Sequence, residues 1–221
     1  MKEKDLFLGI DLGGKENKTT GICILKEGQG LKIYFKERVF GRELLKKISP
    51  YLKWVKVIAI DAPLTKGRGK GKMRLFEKFL SQKIFRENKI NPIPPALMPE
   101  LCNFALELRK KLAKKGFVLD FNLIEAFPTL LKEILNFKKI EELLENEKIE
   151  FENEDEKMAF YCAILAFLHS KFKTRYLGYK DGFLFLPELS FWKESWRKKI
   201  NNAWKEKDRL KYRYLISNLF D

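Results

Sequence analysis

The stretch "LFLGIDLGGKENKTTGICIL", residues 6–25, decides the fold. Apolar Leu6, Phe7, Leu8 and Ile10 run straight into Asp11, a turn follows at Gly13 and Gly14, and a second apolar run spans Gly21 to Leu25. The pattern reads as two strands joined by a turn. A carboxylate closing so apolar a strand is costly to bury unless something pairs with it. Asp11 therefore marks where to look for chemistry.

Working outward, residues 30–39 read as a third strand, completing an antiparallel meander. "GRELLKKISPYLKW" (41–54) has helical spacing. "VKVIAIDAPL" (55–64) is a buried strand that ends at Asp61 and is stopped by Pro63. "NKINPIPPALMP" (88–99) is a proline-rich loop, and 99–116 is an amphipathic helix ending at Gly116. "FNLIEAFPT" (121–129) repeats the earlier design, with Glu125 closing a short apolar strand before a proline. Helical stretches at 129–136 and 138–147 precede "NEDEKMAFYCAILAFLHSKF" (153–172), a helix that opens with acids, Asp155 among them, and continues apolar. "DGFLFLP" (181–187) is a short strand or loop, and 189–218 is a basic, aromatic helical tail. Strands alternating with helices after a meander imply an α/β protein, a mixed sheet covered by helices.

Lys and Arg number 45 against 30 Asp and Glu, a formal charge of +15. That points to a polyanionic partner such as nucleic acid, although a thermophile's Lys/Glu-rich surface has a similar composition. Three widely spaced cysteines (Cys23, Cys102, Cys162) in apolar segments read as reduced, buried thiols of a cytoplasmic protein. With His169 the single histidine, a zinc cluster is not expected, and His169 itself reads as a helix-end or core residue. No signal peptide is apparent, and the longest apolar run is shorter than the roughly 20 residues of a membrane span.

Functional groups of such sheets gather at the carboxyl ends of strands. Asp11, Asp61 and Glu125 all stand there, and Asp155 in the first turn of its helix supplies a fourth carboxylate. Mg²⁺ prefers such oxygen ligands and keeps waters that leave room for a phosphate. Two ions about 3.5–4 Å apart activate a water and stabilise the leaving oxygen of a phosphodiester. The competing reading is that each acid caps a helix or binds backbone amides. The basic stretch 66–89, with Lys66, Arg68, Lys70, Lys72 and Arg74, is the candidate nucleic-acid contact; its plain alternative is a solvated turn. Tail residues Phe191, Trp192, Trp196, Trp204, Tyr212 and Tyr214 alternate with cations. Packing on the body, or on a second subunit as a homodimer, is favoured over base stacking.

"GIDLGGKENKTTGICIL", "IAIDAPL", "LIEAFPTLL", "YCAILAFLH" and "GYKDGFLFLP" together resemble the ordered blocks of the family named domain of unknown function 429, predicted nucleases with an RNase H-like fold. The resemblance spans about residues 5–187. It implies a five-stranded mixed sheet flanked by helices, with acids on the first and fourth strands and a late helix binding Mg²⁺ or Mn²⁺. Asp11, Asp61 and Glu125 match by motif position. On the late helix the family's second aspartate is Met158 here, and Asp155, one turn earlier, stands in for it. The expectation is an RNase H-like domain over 1–187, with a helical extension, 188–221, packed on it or on a partner subunit. The expected function is a two-metal nuclease in which Asp11 bridges the ions and Asp61, Glu125 and Asp155 complete the cage. A nucleic-acid-binding module with a degenerate metal site is the alternative. The third reading, phosphate binding as in actin-like kinases, rests on "GIDLGGK" and lacks a second glycine-rich loop.

Overall fold

The computed structural model of the protein describes residues 5–67, 73–145, 149–207 and 214–220. Strands β1 (Leu6–Asp11), β2 (Thr19–Glu27), β3 (Leu31–Phe40), β4 (Val55–Asp61) and β5 (Leu123–Glu125) form a mixed sheet in the order β3-β2-β1-β4-β5. The first three make the antiparallel meander, while β4 joins β1, and β5 joins β4, in parallel. Parallel neighbours require crossovers. The first carries α1 (Leu44–Ile48), and the second carries α2 (Leu75–Leu80), α3 (Lys83–Arg86) and α4 (Pro99–Ala113). Then come α5 (Pro128–Ile134), α6 (Phe137–Glu141), α7 (Glu154–Ser170), the hairpin β6 (Thr174–Tyr179) and β7 (Gly182–Pro187), α8 (Glu194–Lys205) and β8 (Ile216–Ser217). The last three strands form a small second sheet, β7-β6-β8.

Alternation along the strands builds two cores. Leu8, Ile10, Ile22, Ile24, Ile58 and Ile60 pack with Leu44 and Ile48 of α1 and with Ala105 and Leu108 of α4. Phe7, Cys23, Val57 and Ala59 face the other way, onto α7. That helix is buried without interruption from Ala159 to Leu168, as its all-round apolar sequence requires.

Two glycines let α7 lie directly on the sheet. A Cβ at Gly9 would run into the Ala159 carbonyl and the Ala163 amide, and one at Gly21 into the Asp155 carbonyl. This is the close-approach use of glycine within a strand. Gly9→Ala is accordingly expected to lower stability by about 1–3 kcal/mol or more, the range for overpacked cores. Thermal unfolding checks it; an unchanged melting temperature would contradict the packing.

The tail differs from the expected continuous helix. α8 stops at Lys205, and Ile216–Ser217 returns as an edge strand beside β6. Its aromatics pack on the body: Trp196 stacks on Phe85 with centroids 6.3 Å apart, and Trp204 lies between Phe79 and Phe220 at 5.9 and 4.6 Å. Tyr212 lies outside the described residues. Strand β6, "TRYLGY", carries no clean alternation of its own and is explained by its pairing with β7. Among the described residues, no helix is long and apolar enough to cross a membrane.

Candidate active site

The register of the parallel pair places Asp11 directly beside Asp61. Each is two residues beyond a residue on the α7 side, Gly9 or Ala59, so both side chains turn toward that helix. The chain leaves β1 through a turn anchored by the Gly13 N–H, which donates to the Thr20 hydroxyl at 3.0 Å. The two carboxyl groups are neighbours that interact directly, so that they do not both ionise freely. Burial and the charge of Asp155 push Asp11 up to about 7, with its side-chain interaction with Asp61 pulling the other way. Burial, then Asp11 and Glu125, push Asp61 well above the carboxylate range. Both effects disfavour a second negative charge.

Asp155 reaches this pair because of how α7 begins. The Asn153 side chain accepts the Glu156 N–H at 3.0 Å, capping the helix. The first turn then rests on Gly21, which is the antiparallel partner of Asp11. Glu156 is unavailable, being buried and held by Lys36 at 2.8 Å. Met158, one turn on, packs against the α7 core. Cys162 lies under the pair, its thiol pushed up by burial and by Asp61 and Asp11, so it stays protonated.

Glu125 departs from expectation. Its register partner is Ile60, one step short of Asp61, and it stands at the edge of a cavity that Asp61 and Arg74 also line. There both its oxygens are taken. Arg74 donates from Nη2 to Oε1 at 2.6 Å and from Nη1 to Oε2 at 2.7 Å, and the Leu64 N–H donates to Oε2 at 2.9 Å. Arg74 also grips Glu77, with Nε and Nη2 donating to Oε1 at 2.8 and 2.6 Å. Expected on the surface, Arg74 is only 2% exposed and cannot serve as a phosphate contact. Of the other cations in that stretch, Lys66 is exposed, while Arg68, Lys70 and Lys72 lie outside the described residues.

The buried Arg74–Glu77–Glu125 trio lines a cavity of about 270 Å³ that also reaches Asp61. Pro92, Ile93 and Met98 of the proline-rich loop form part of its wall, and Lys89 is exposed beside it. The trio was illegible in sequence because a lone arginine within a basic run looks like its neighbours. A usable signal was the spacing of Arg74 and Glu77, three apart at a helix start.

Among the described residues, no three or more histidine, cysteine, aspartate or glutamate side chains are drawn together as a metal site. The expected four-carboxylate cage is thus not assembled. What remains is a close pair of hard oxygen donors with Asp155 nearby. Carboxylate oxygens are the donor type that Mg²⁺ takes, through one or two carboxylates with water completing its shell. Comparison of the chain with protein families, curated proteins and solved structures found no match.

Proposed function

We propose that this chain is a metal-dependent phosphodiester hydrolase acting on nucleic acid, with Asp11 and Asp61 holding Mg²⁺ or Mn²⁺. One observation carries the reading: two aspartates from separate strands meet in register at the carboxyl edge of the sheet, although their proximity keeps both from ionising freely. Crowding of that kind is relieved by a cation, and perturbed carboxylates cluster at functional sites.

An Mg²⁺ or Mn²⁺ ion held by Asp11 and Asp61 would supply Lewis-acid chemistry, activating a water and offsetting charge on phosphate. The chain's own residues do the rest. Asp11 and Asp61 fix the ligand oxygens on adjacent rigid strands, and Asp155 adds negative charge from the α7 side. Lys89, exposed at the cavity rim with no carboxylate partner among the described residues, would meet substrate phosphate. The formal charge of +15 draws the polyanion in.

A nucleic-acid-binding module with a degenerate metal site is the second reading. It is favoured by the capture of Glu125 by Arg74 and by Met158 in the place of an acid. Calorimetric titration with Mn²⁺ and a cleavage assay on labelled nucleic acid separate the two. The hydrolase reading expects wild-type binding and cleavage, both lost in Asp11→Asn. Cleavage that persists in Asp11→Asn would refute it; nucleic-acid binding with neither metal uptake nor cleavage would establish the module.

A further inference from the structure

The opposite end of the sheet holds a larger cavity, about 670 Å³, beside Phe7 of β1 and Val57 of β4. Four residues of strand separate Phe7 from Asp11, or about 13 Å. At its mouth α7 ends in a Schellman motif. The Phe172 N–H donates to the His169 carbonyl at 3.0 Å and the Lys173 N–H to the Leu168 carbonyl at 2.8 Å. The residue in the left-handed position of that motif is usually glycine. Here it is Phe172, with φ +57° and a side chain 89% exposed. The position is unfavourable twice, in backbone strain and in a large ring given to water.

A second ring stands at the same mouth. Phe121 is 70% exposed. Its carbonyl accepts a hydrogen bond from His169 Nε2 at 2.8 Å, which leaves Nδ1 to accept from the Thr174 hydroxyl at 2.7 Å. His169 also meets Phe185 edge-on at 5.0 Å. The single histidine therefore ties the Phe121 loop to the end of α7, next to Phe172.

Charged side chains of both signs share the cavity with the rings. Lys56, Lys171 and Arg175 line the cavity against two carboxylates, Asp5 and Asp120. Each cation has a partner, Asp5 at 3.2 Å, Glu27 at 2.7 Å and Glu188 at 3.6 Å respectively. Part-exposed pairs of this kind are weak enough for phosphate to compete. Exposed aromatic faces interleaved with cations are the pattern that holds single-stranded nucleic acid, bases stacking and phosphates pairing. Duplex DNA or RNA keeps its base faces covered and gains nothing from the rings.

We infer that this cavity binds single-stranded nucleic acid, with an unpaired base stacked on Phe172 and Phe121 and its phosphates on Lys56, Lys171 and Arg175. The inference is independent of whether the carboxylate pair cuts.

Fluorescence anisotropy in the presence of a chelator tests it, using a labelled single-stranded oligonucleotide, the same sequence as a duplex, and a mononucleotide. The single strand is expected to bind more tightly than the duplex. Phe172→Gly is expected to weaken single-strand binding about tenfold, within the range for losing one stacked base. It should also raise the melting temperature by about 2–4 °C, because glycine relieves the left-handed strain. Phe121→Ala should weaken binding similarly, and it tests the cavity even if Phe172→Gly fails to fold. Wild-type affinity in both variants would overturn the inference. So would equal affinity for the duplex, or a mononucleotide that binds where the oligonucleotide does not. Asp11→Asn keeps this binding while losing cleavage, so failure of the hydrolase reading is seen separately.

Discussion

Arg74→Met is expected to lower unfolding stability by about 3–5 kcal/mol at pH 8, the range for breaking a buried ion pair from one side. Among the described residues, Arg74 is the one cation facing two buried carboxylates, Glu77 and Glu125, and its guanidinium donates to both. Methionine fills much of the volume but leaves two carboxylates without their charge partner. Each must then ionise in an apolar setting or take up a proton. Burial raises the folded-state pKa of Glu77 and Arg74 counters it, so in the variant Glu77 lies further above its unfolded value and stability is present at low pH and lost as pH rises. Its deficit should therefore be smaller at pH 5 than at pH 8. Neutralising the acids as well, in Arg74→Met/Glu77→Gln/Glu125→Gln, should recover a large part of the loss. Urea unfolding at the two pH values measures all of this. A deficit under about 1 kcal/mol, typical of an exposed pair, would mean that the trio is open to water.

That trio also marks where sequence reading ran out. The mixed sheet was legible because its strands are apolar runs that end at a turn-former, as "VKVIAID" does before Pro63, while the count of five strands rested on the family resemblance. Asp11 and Asp61 were legible for the same reason: a strand-end carboxylate after buried residues stands out. Glu125 shares the local pattern, yet its fate depends on register. It pairs with Ile60 rather than Asp61 and its oxygens go to Arg74, and neither a one-residue offset between distant strands nor a distant partner is written in the strand itself. Arg74 was misread because burial of an arginine is decided by acids 3 and 51 positions away, only one of which is local. Strand β8 was hidden for a similar reason. Ile216–Ser217 is a two-residue addition to β6, too short to carry a period of its own. Gly9 and Gly21 look like weak points in their strands, and only the position of α7 explains them.

Asp11→Asn is expected to stabilise the metal-free protein at pH 8 by about 2–4 kcal/mol, which removal of a catalytic group permits and removal of a structural one does not. Asp11 has its folded-state pKa raised from 3.8 to about 7, by burial first and Asp155 second. The sign follows from linkage. Between those values the folded state binds more proton than the unfolded chain, so stability falls as pH rises from about 4 to about 7 and then levels off. In chelator, the wild type should thus be more stable at pH 5 than at pH 8, and Asp11→Asn should flatten that part of the profile. Mn²⁺ added at pH 8 should restore stability to the wild type by mass action and do little for the variant. Urea unfolding across this range, with and without Mn²⁺, reads out each arm. A wild type equally stable at pH 5 and pH 8 would show that the two carboxylates are not held against each other. The strain that a cation is proposed to relieve would then be absent, and Asp11 would be an ordinary strand-end acid.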